Sequence, residues 1–113
     1  MASNNHSQLS QADLADMGAR AEQAADMMRA LAHPARLMIL CNLAGAERNV
    51  NELCAALDMP QAQMSQQLAR LRHDGLVVAR HCGREHFYRI SGSQTEQLIL
   101  LMHELYCRAP QTD

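Results

Sequence analysis

The 113-residue sequence contains no tryptophan, one phenylalanine and two tyrosines, which excludes a core of stacked aromatic rings and leaves aliphatic and methionine side chains to fill it. Lysine is also missing. All ten basic side chains are arginine, a composition suited to planar contacts with phosphate and guanine, though genomic base composition produces the same bias. No apolar run is long enough to span a bilayer, and the opening MASNNHSQLSQ lacks a cationic start followed by an apolar stretch, so a cytoplasmic location is expected. Without a secretion signal, the four cysteines point to free, reactive or metal-binding thiols rather than a disulfide framework. No nucleophile elbow, phosphate loop or paired acid site is present, and six scattered histidines make no triad. These absences argue against an enzyme and against a bound cofactor. There is no internal repeat.

What the chain does contain is one segment of distinct charge. Residues 61–90 hold Arg70, Arg72, Arg80, Arg84 and Arg89 against Asp74 and Glu85, a net of +3, whereas the whole chain carries −2 and the remainder therefore −5. A duplex partner requires arginine or lysine at phosphates, so this segment is the one equipped for nucleic acid. Within it Met64, Leu68 and Leu71 fall at i, i+4 and i+7, predicting a helix with one buried face and with Gln63, Ser65, Gln66, Gln67 and Arg70 left free. Gly75 ends the helix. Leu76-Val77-Val78 begins a strand that returns through Phe87-Tyr88-Arg89 after a turn at Gly83. Helix, tight turn and basic-tipped hairpin are the layout of a winged helix-turn-helix.

Around this segment the pattern is helical. Ser10 with Asp13 forms a capping-box start, and Leu14, Met17, Ala21, Ala24 and Met28 continue at helical spacing to about Arg29. A second helix starts near His33-Pro34 and runs through Arg36 and Cys41 to about Ala44, its apolar middle implying burial on most sides. Val50, Leu53, Cys54 and Leu57 mark a short third helix before Asp58-Met59-Pro60. Ser93 with Glu96 gives a second S-x-x-E start, followed by a final apolar helix to about Cys107. The expected class is mainly α with a small β-hairpin, folded as one domain over residues 10–108 between flexible tails at 1–9 and 109–113. One small core is marginal in stability, so a second subunit covering apolar helix faces is expected; the terminal helices can serve as dimer elements or can simply cover their own core.

Leu31-Ala32-His33-Pro34-Ala35-Arg36-Leu37, then Asn51-Glu52-Leu53, then Met64-Ser65-Gln66-Gln67-Leu68 and Leu71-Arg72-His73-Asp74-Gly75-Leu76-Val77 together resemble the ArsR/SmtB family of bacterial repressors, over roughly residues 14–107. The resemblance implies a homodimeric winged helix that leaves its operator when an inducer binds. It places Gln61, Gln63, Ser65, Gln66 and Arg70 on the major-groove face with Gln67 at its margin, and Arg80 and Arg84 of the hairpin tip on the flanking backbone or minor groove. Two recognition helices about one helical turn apart, roughly 34–36 Å, imply an imperfect inverted repeat as the target.

Inducer chemistry is then a matter of cysteines, histidines and acids. Arsenic-type members carry a Cys-x-Cys element on the third helix; here Cys54 is followed by two alanines, and a lone thiolate does not hold a soft metalloid. Zinc-type members place ligands on the last helix, where this chain offers adjacent His103 and Glu104, about 100° apart around the helix, and the Asp-x-His half of such a site is missing. By resemblance, Cys41 and Cys107 match the two positions used by the branch that responds to persulfides and other oxidants. The alternatives are that Cys41 fills the core and Cys107 is incidental, or that Cys54, Cys82 or His6 takes part in a non-standard metal site. Cys82, at the wing tip, is a second oxidisable thiol.

Overall fold

A computed structural model describes residues 8–108; His6 and most of the two tails fall outside that range. The described chain forms helices α1 (Gln11–Leu31), α2 (Pro34–Leu43), α3 (Val50–Leu57), α4 (Gln61–His73) and α5 (Ser93–His103), with strands β1 (Arg48–Asn49), β2 (Val77–Cys82) and β3 (Glu85–Ile90). A π-helical turn over Glu104–Arg108 follows α5. Two compact units divide the chain, residues 1–30 and 31–113.

The first unit is essentially α1. Its start is the expected capping box: the Asp13 N–H donates to Ser10 Oγ and the Ser10 N–H to Asp13 Oδ2, both at 3.0 Å. Hydrogen bonds to the carboxylate from the Ser10 N–H and then from the Ser10 side chain hold the Asp13 carboxyl below its ordinary pKa. Leu14, Met17 and Met28 are about half exposed or more, so the alanine-rich stripe does not by itself complete a core.

In the second unit α2, α3, α4, α5 and the sheet enclose one aliphatic core. Ile39, Leu40, Leu53, Met64, Leu68 and Leu71 are fully buried, each side chain contributing roughly 1.5–3 kcal/mol of transfer free energy. Gly75 ends α4 as anticipated: at φ +80° it lets its own N–H reach Arg72 O at 3.0 Å and the Leu76 N–H reach Leu71 O at 2.9 Å, the paired bonds of a Schellman cap. The loop of the hairpin is Gly83-Arg84, with Gly83 at φ +65°. Glycine first in a two-residue loop suits the twist of the flanking strands.

Three features depart from the sequence reading. The hairpin is part of a three-stranded sheet of order β1-β3-β2, because Arg48 and Asn49 pair with Tyr88 and Phe87. Helix α2 is not buried on most sides: Ile39, Leu40 and Leu43 face inward, while Met38 is 48% exposed and Cys41 is exposed. The expected Ser93–Glu96 capping box is not formed either. Gly92 is the N-cap, without a side-chain cap, and Glu96 Oε2 instead accepts the Gly45 N–H at 2.6 Å, tying α5 to the end of α2. Among the described residues no helix is long and apolar enough to cross a membrane.

Candidate nucleic-acid interface and thiol pair

Helices α3 and α4 meet across Asp58-Met59-Pro60. Asn49 opens α3 with a reciprocal capping box, its Oδ1 accepting the Glu52 N–H at 2.8 Å and its own N–H donating to Glu52 Oε1 at 2.9 Å. Asp58 closes it in the left-handed region, and the Met59 N–H returns to Cys54 O at 3.1 Å. Pro60 then caps α4 with extended backbone. The turn leaves α4 anchored by Met64, Leu68 and Leu71, and at about 100° per residue the opposite arc holds Gln63, Gln66 and Arg70, all exposed. Ala62, Ala69 and His73 are exposed on the same arc. Sequence reasoning passed over them, although a methyl group is what contacts a thymine methyl in a major groove.

The remaining α4 residues separate onto two flanks. Gln61 and Ser65 lie on the wing side, where with Asn51, Arg84 and His86 they line an open cleft of about 300 Å³. Gln67 lies on the other flank, half-buried, its Oε1 accepting from Arg36 Nε of α2 at 3.2 Å. Arg70 Nε is 3.5 Å from Asp74 Oδ2, a loose and exposed pair of small energetic worth.

Besides the pairing of β3 with β1, two side-chain contacts fasten the wing to the body. Asn49 Nδ2 donates to Glu85 Oε1 at 3.1 Å. Arg80 donates from Nε and Nη2 to the two Glu47 oxygens, each at 2.9 Å, and its guanidinium lies 5.2 Å from the Phe87 ring centre. This fork holds the Glu47 carboxyl below the ordinary carboxylate range and the guanidinium above its own. The two arginines expected at the tip therefore differ. Arg80 is engaged by Glu47, and Arg84, exposed in the turn, forms no ion pair among the described residues. Because Glu47 stays ionised until the pH falls below the usual carboxylate range, the fork is intact at neutral pH and is lost on acidification. Glu47→Gln is expected to free Arg80 for a phosphate. A salt titration of DNA affinity checks this: the slope of log K against log salt should steepen by about 0.9 for the added contact, and an unchanged slope would mean that Arg80 does not reach the backbone.

The thiols are equally uneven. Cys41, Cys82 and Cys107 are exposed and Cys54 is half-buried, and all four are free. Burial of its sulfur pushes the Cys41 thiol up, with a smaller push in the same direction from Cys107; α2 packs against α5, whose following turn carries Cys107. Among the described residues no group of three or more His, Cys, Asp or Glu is placed to hold a metal; His103 and Glu104 are exposed.

Comparison with known proteins agrees with this architecture. The family model described as bacterial regulatory protein, arsR family, matches residues 33–78, from the start of α2 into β2. The chain is similar to the transcriptional activator HlyU of Vibrio cholerae, 39% identical over 99 residues, covering 88% of this chain and 92% of that protein. The structure of that protein described as reduced HlyU superposes with a TM-score of 0.77 over 81% of this chain and 97% of its own, at 39% identity. A biofilm growth-associated repressor of Agrobacterium fabrum is 42% identical over 95 residues, 84% of this chain and 80% of that one. A homodimeric winged helix-turn-helix DNA-binding domain from Mycobacterium bovis matches with a TM-score of 0.70 and 36% identity, over 78% of this chain and 82% of its own. With an exposed polar arc on α4, a basic wing beside it and relatives of this kind over most of its length, the chain belongs to the arsR family of bacterial regulatory proteins and is a DNA-binding winged helix-turn-helix transcription regulator.

Proposed function

We propose that the protein is a homodimeric repressor whose α4 helices read an imperfect inverted repeat, and that joining Cys41 to Cys107 through sulfane sulfur, or their oxidation, releases the DNA. The observation that carries the switch is the pair itself: two exposed, free thiols, one on α2 and one in the turn that follows α5, the helix packed against α2. A relative described in a reduced form adds support. For DNA, Gln63, Gln66 and Arg70 supply base contacts, glutamine pairing with adenine and arginine with guanine. Gln61, Ser65 and Arg84 flank the cleft toward the wing and take phosphate.

The dimer is supported by the apolar residues left on the surface. Leu100, Leu101, Leu105 and Tyr106 on α5 and its terminal turn are 50–74% exposed, a patch that a monomer in water rarely keeps. The related Mycobacterium bovis domain is a homodimer.

The chemistry balances with an organic persulfide as the only reagent. One thiolate attacks the outer sulfur of RSSH, forming a protein persulfide and RSH. The second thiol then joins that persulfide, and a second RSSH takes up the electron pair, giving RSH and hydrogen sulfide. Two thiols and two RSSH thus yield one trisulfide, two RSH and one hydrogen sulfide. A direct disulfide requires Cα atoms roughly 4.4–6.8 Å apart, and an inserted sulfur extends that reach. Peptide mapping by mass spectrometry after persulfide treatment is expected to recover a peptide pair linked through Cys41 and Cys107 with one extra sulfur, lost on reduction. Persulfidation confined to Cys82 would contradict the assignment.

A further inference from the structure

Gln67 belongs to the polar set of α4, yet its chemistry toward DNA differs from that of Gln63 and Gln66. Arg36, on α2 and only 9% exposed, donates its Nε to Gln67 Oε1 at 3.2 Å. A guanidinium nitrogen has only donors to offer, so the atom facing it is the carboxamide oxygen, and the amide nitrogen is the end left for solvent. Reading adenine requires both ends of a glutamine at once, the oxygen accepting from N6 and the nitrogen donating to N7. A glutamine whose oxygen is turned inward has lost one half of that pair.

We propose that Arg36 is a specificity-determining positioning residue: it fixes Gln67 as a donor-only group that selects base-edge acceptors, namely purine N7, guanine O6 or thymine O4, instead of adenine's donor–acceptor pair. The proposal rests on α4 being the major-groove helix and adds which class of base edge its α2-side flank accepts. Arg36 touches no DNA in this account. It acts through the rotamer of Gln67, across 31 residues of sequence and from inside the core.

The test is selection from a library of randomised duplexes, carried out with the wild-type chain and with Gln67→Glu and Arg36→Met. In Gln67→Glu one carboxylate oxygen keeps the bond to Arg36 and the other becomes an acceptor. Its selected sites should change at one base pair per half-site toward cytosine N4 or adenine N6, by about tenfold or more in preference. In Arg36→Met the freed amide should gain adenine at that same base pair. Selected sites identical to wild type in Gln67→Glu, or a uniform loss of affinity with the base ranking intact, would reduce Arg36 to a structural contact and overturn the proposal. Gln67→Glu decides the matter even if Arg36→Met does not fold. Failure of the wild-type chain to enrich any motif would instead refute base reading by α4, so the two failures are distinguishable.

Discussion

Replacing Leu101 with glutamate is expected to turn the dimer into a monomer and to weaken operator binding by about 10²–10⁴-fold, the range lost when two linked binding events become one. Leu101 is 50% exposed on α5, so within one subunit the change touches water and leaves Thr95 and Ile99, the buried stripe of that helix, undisturbed. At a dimer contact the same glutamate would be an unpaired charge removed from water, at a cost of several kcal/mol. Sedimentation and DNA affinity should therefore change together while the thermal transition of the subunit core is retained. A variant that stays dimeric with undiminished affinity would show that α5 does not form the subunit contact.

Replacing Cys107 with serine is expected to leave the reduced protein's DNA affinity intact and to abolish its response to persulfide. Wild type should lose affinity by about 5–150-fold on treatment, the usual span of coupling between two sites on one protein. The serine variant should lose none, Cys41→Ser should match it, and Cys82→Ser should respond as wild type does. The physical route is short. A sulfur bridge from the terminal turn would restrain α2 at Cys41, and α2 holds α4 through the Arg36–Gln67 bond. Burial of its sulfur continues to hold the Cys41 thiol above its ordinary value in the Cys107→Ser variant. Loss of the response in Cys82→Ser instead would make the wing thiol the switch.

How much of this was legible in the sequence depended on the range of the interaction. The buried row of α4, the glycines that end it and turn the wing, and the Ser10–Asp13 cap follow from periodicity or from partners within a turn of helix. Strand β1 was not legible, because two residues become a strand only by pairing with Phe87 and Tyr88, far along the chain. The outward turn of Cys41 was hidden by its setting in Leu37-Met38-Ile39-Leu40-Cys41, where no polar residue marks the open face. Ser93-x-x-Glu96 fits a cap locally, but the Gly45 N–H claims the carboxylate. The same holds at the site. The polar arc of α4 could be read from spacing, whereas the engagement of Arg80 by Glu47 and of Gln67 by Arg36 joins residues 33 and 31 positions apart and leaves no local signal. The residues that sort the predicted contacts into free and engaged are the nonlocal ones.

The most direct test of the account is fluorescence anisotropy of the fully reduced protein on labelled duplex from the promoter of its own gene. It should be repeated after an organic persulfide and again after a reductant, with a metal chelator present throughout. The account predicts tight binding, release by persulfide and recovery on reduction. Binding that persulfide leaves unchanged would contradict it.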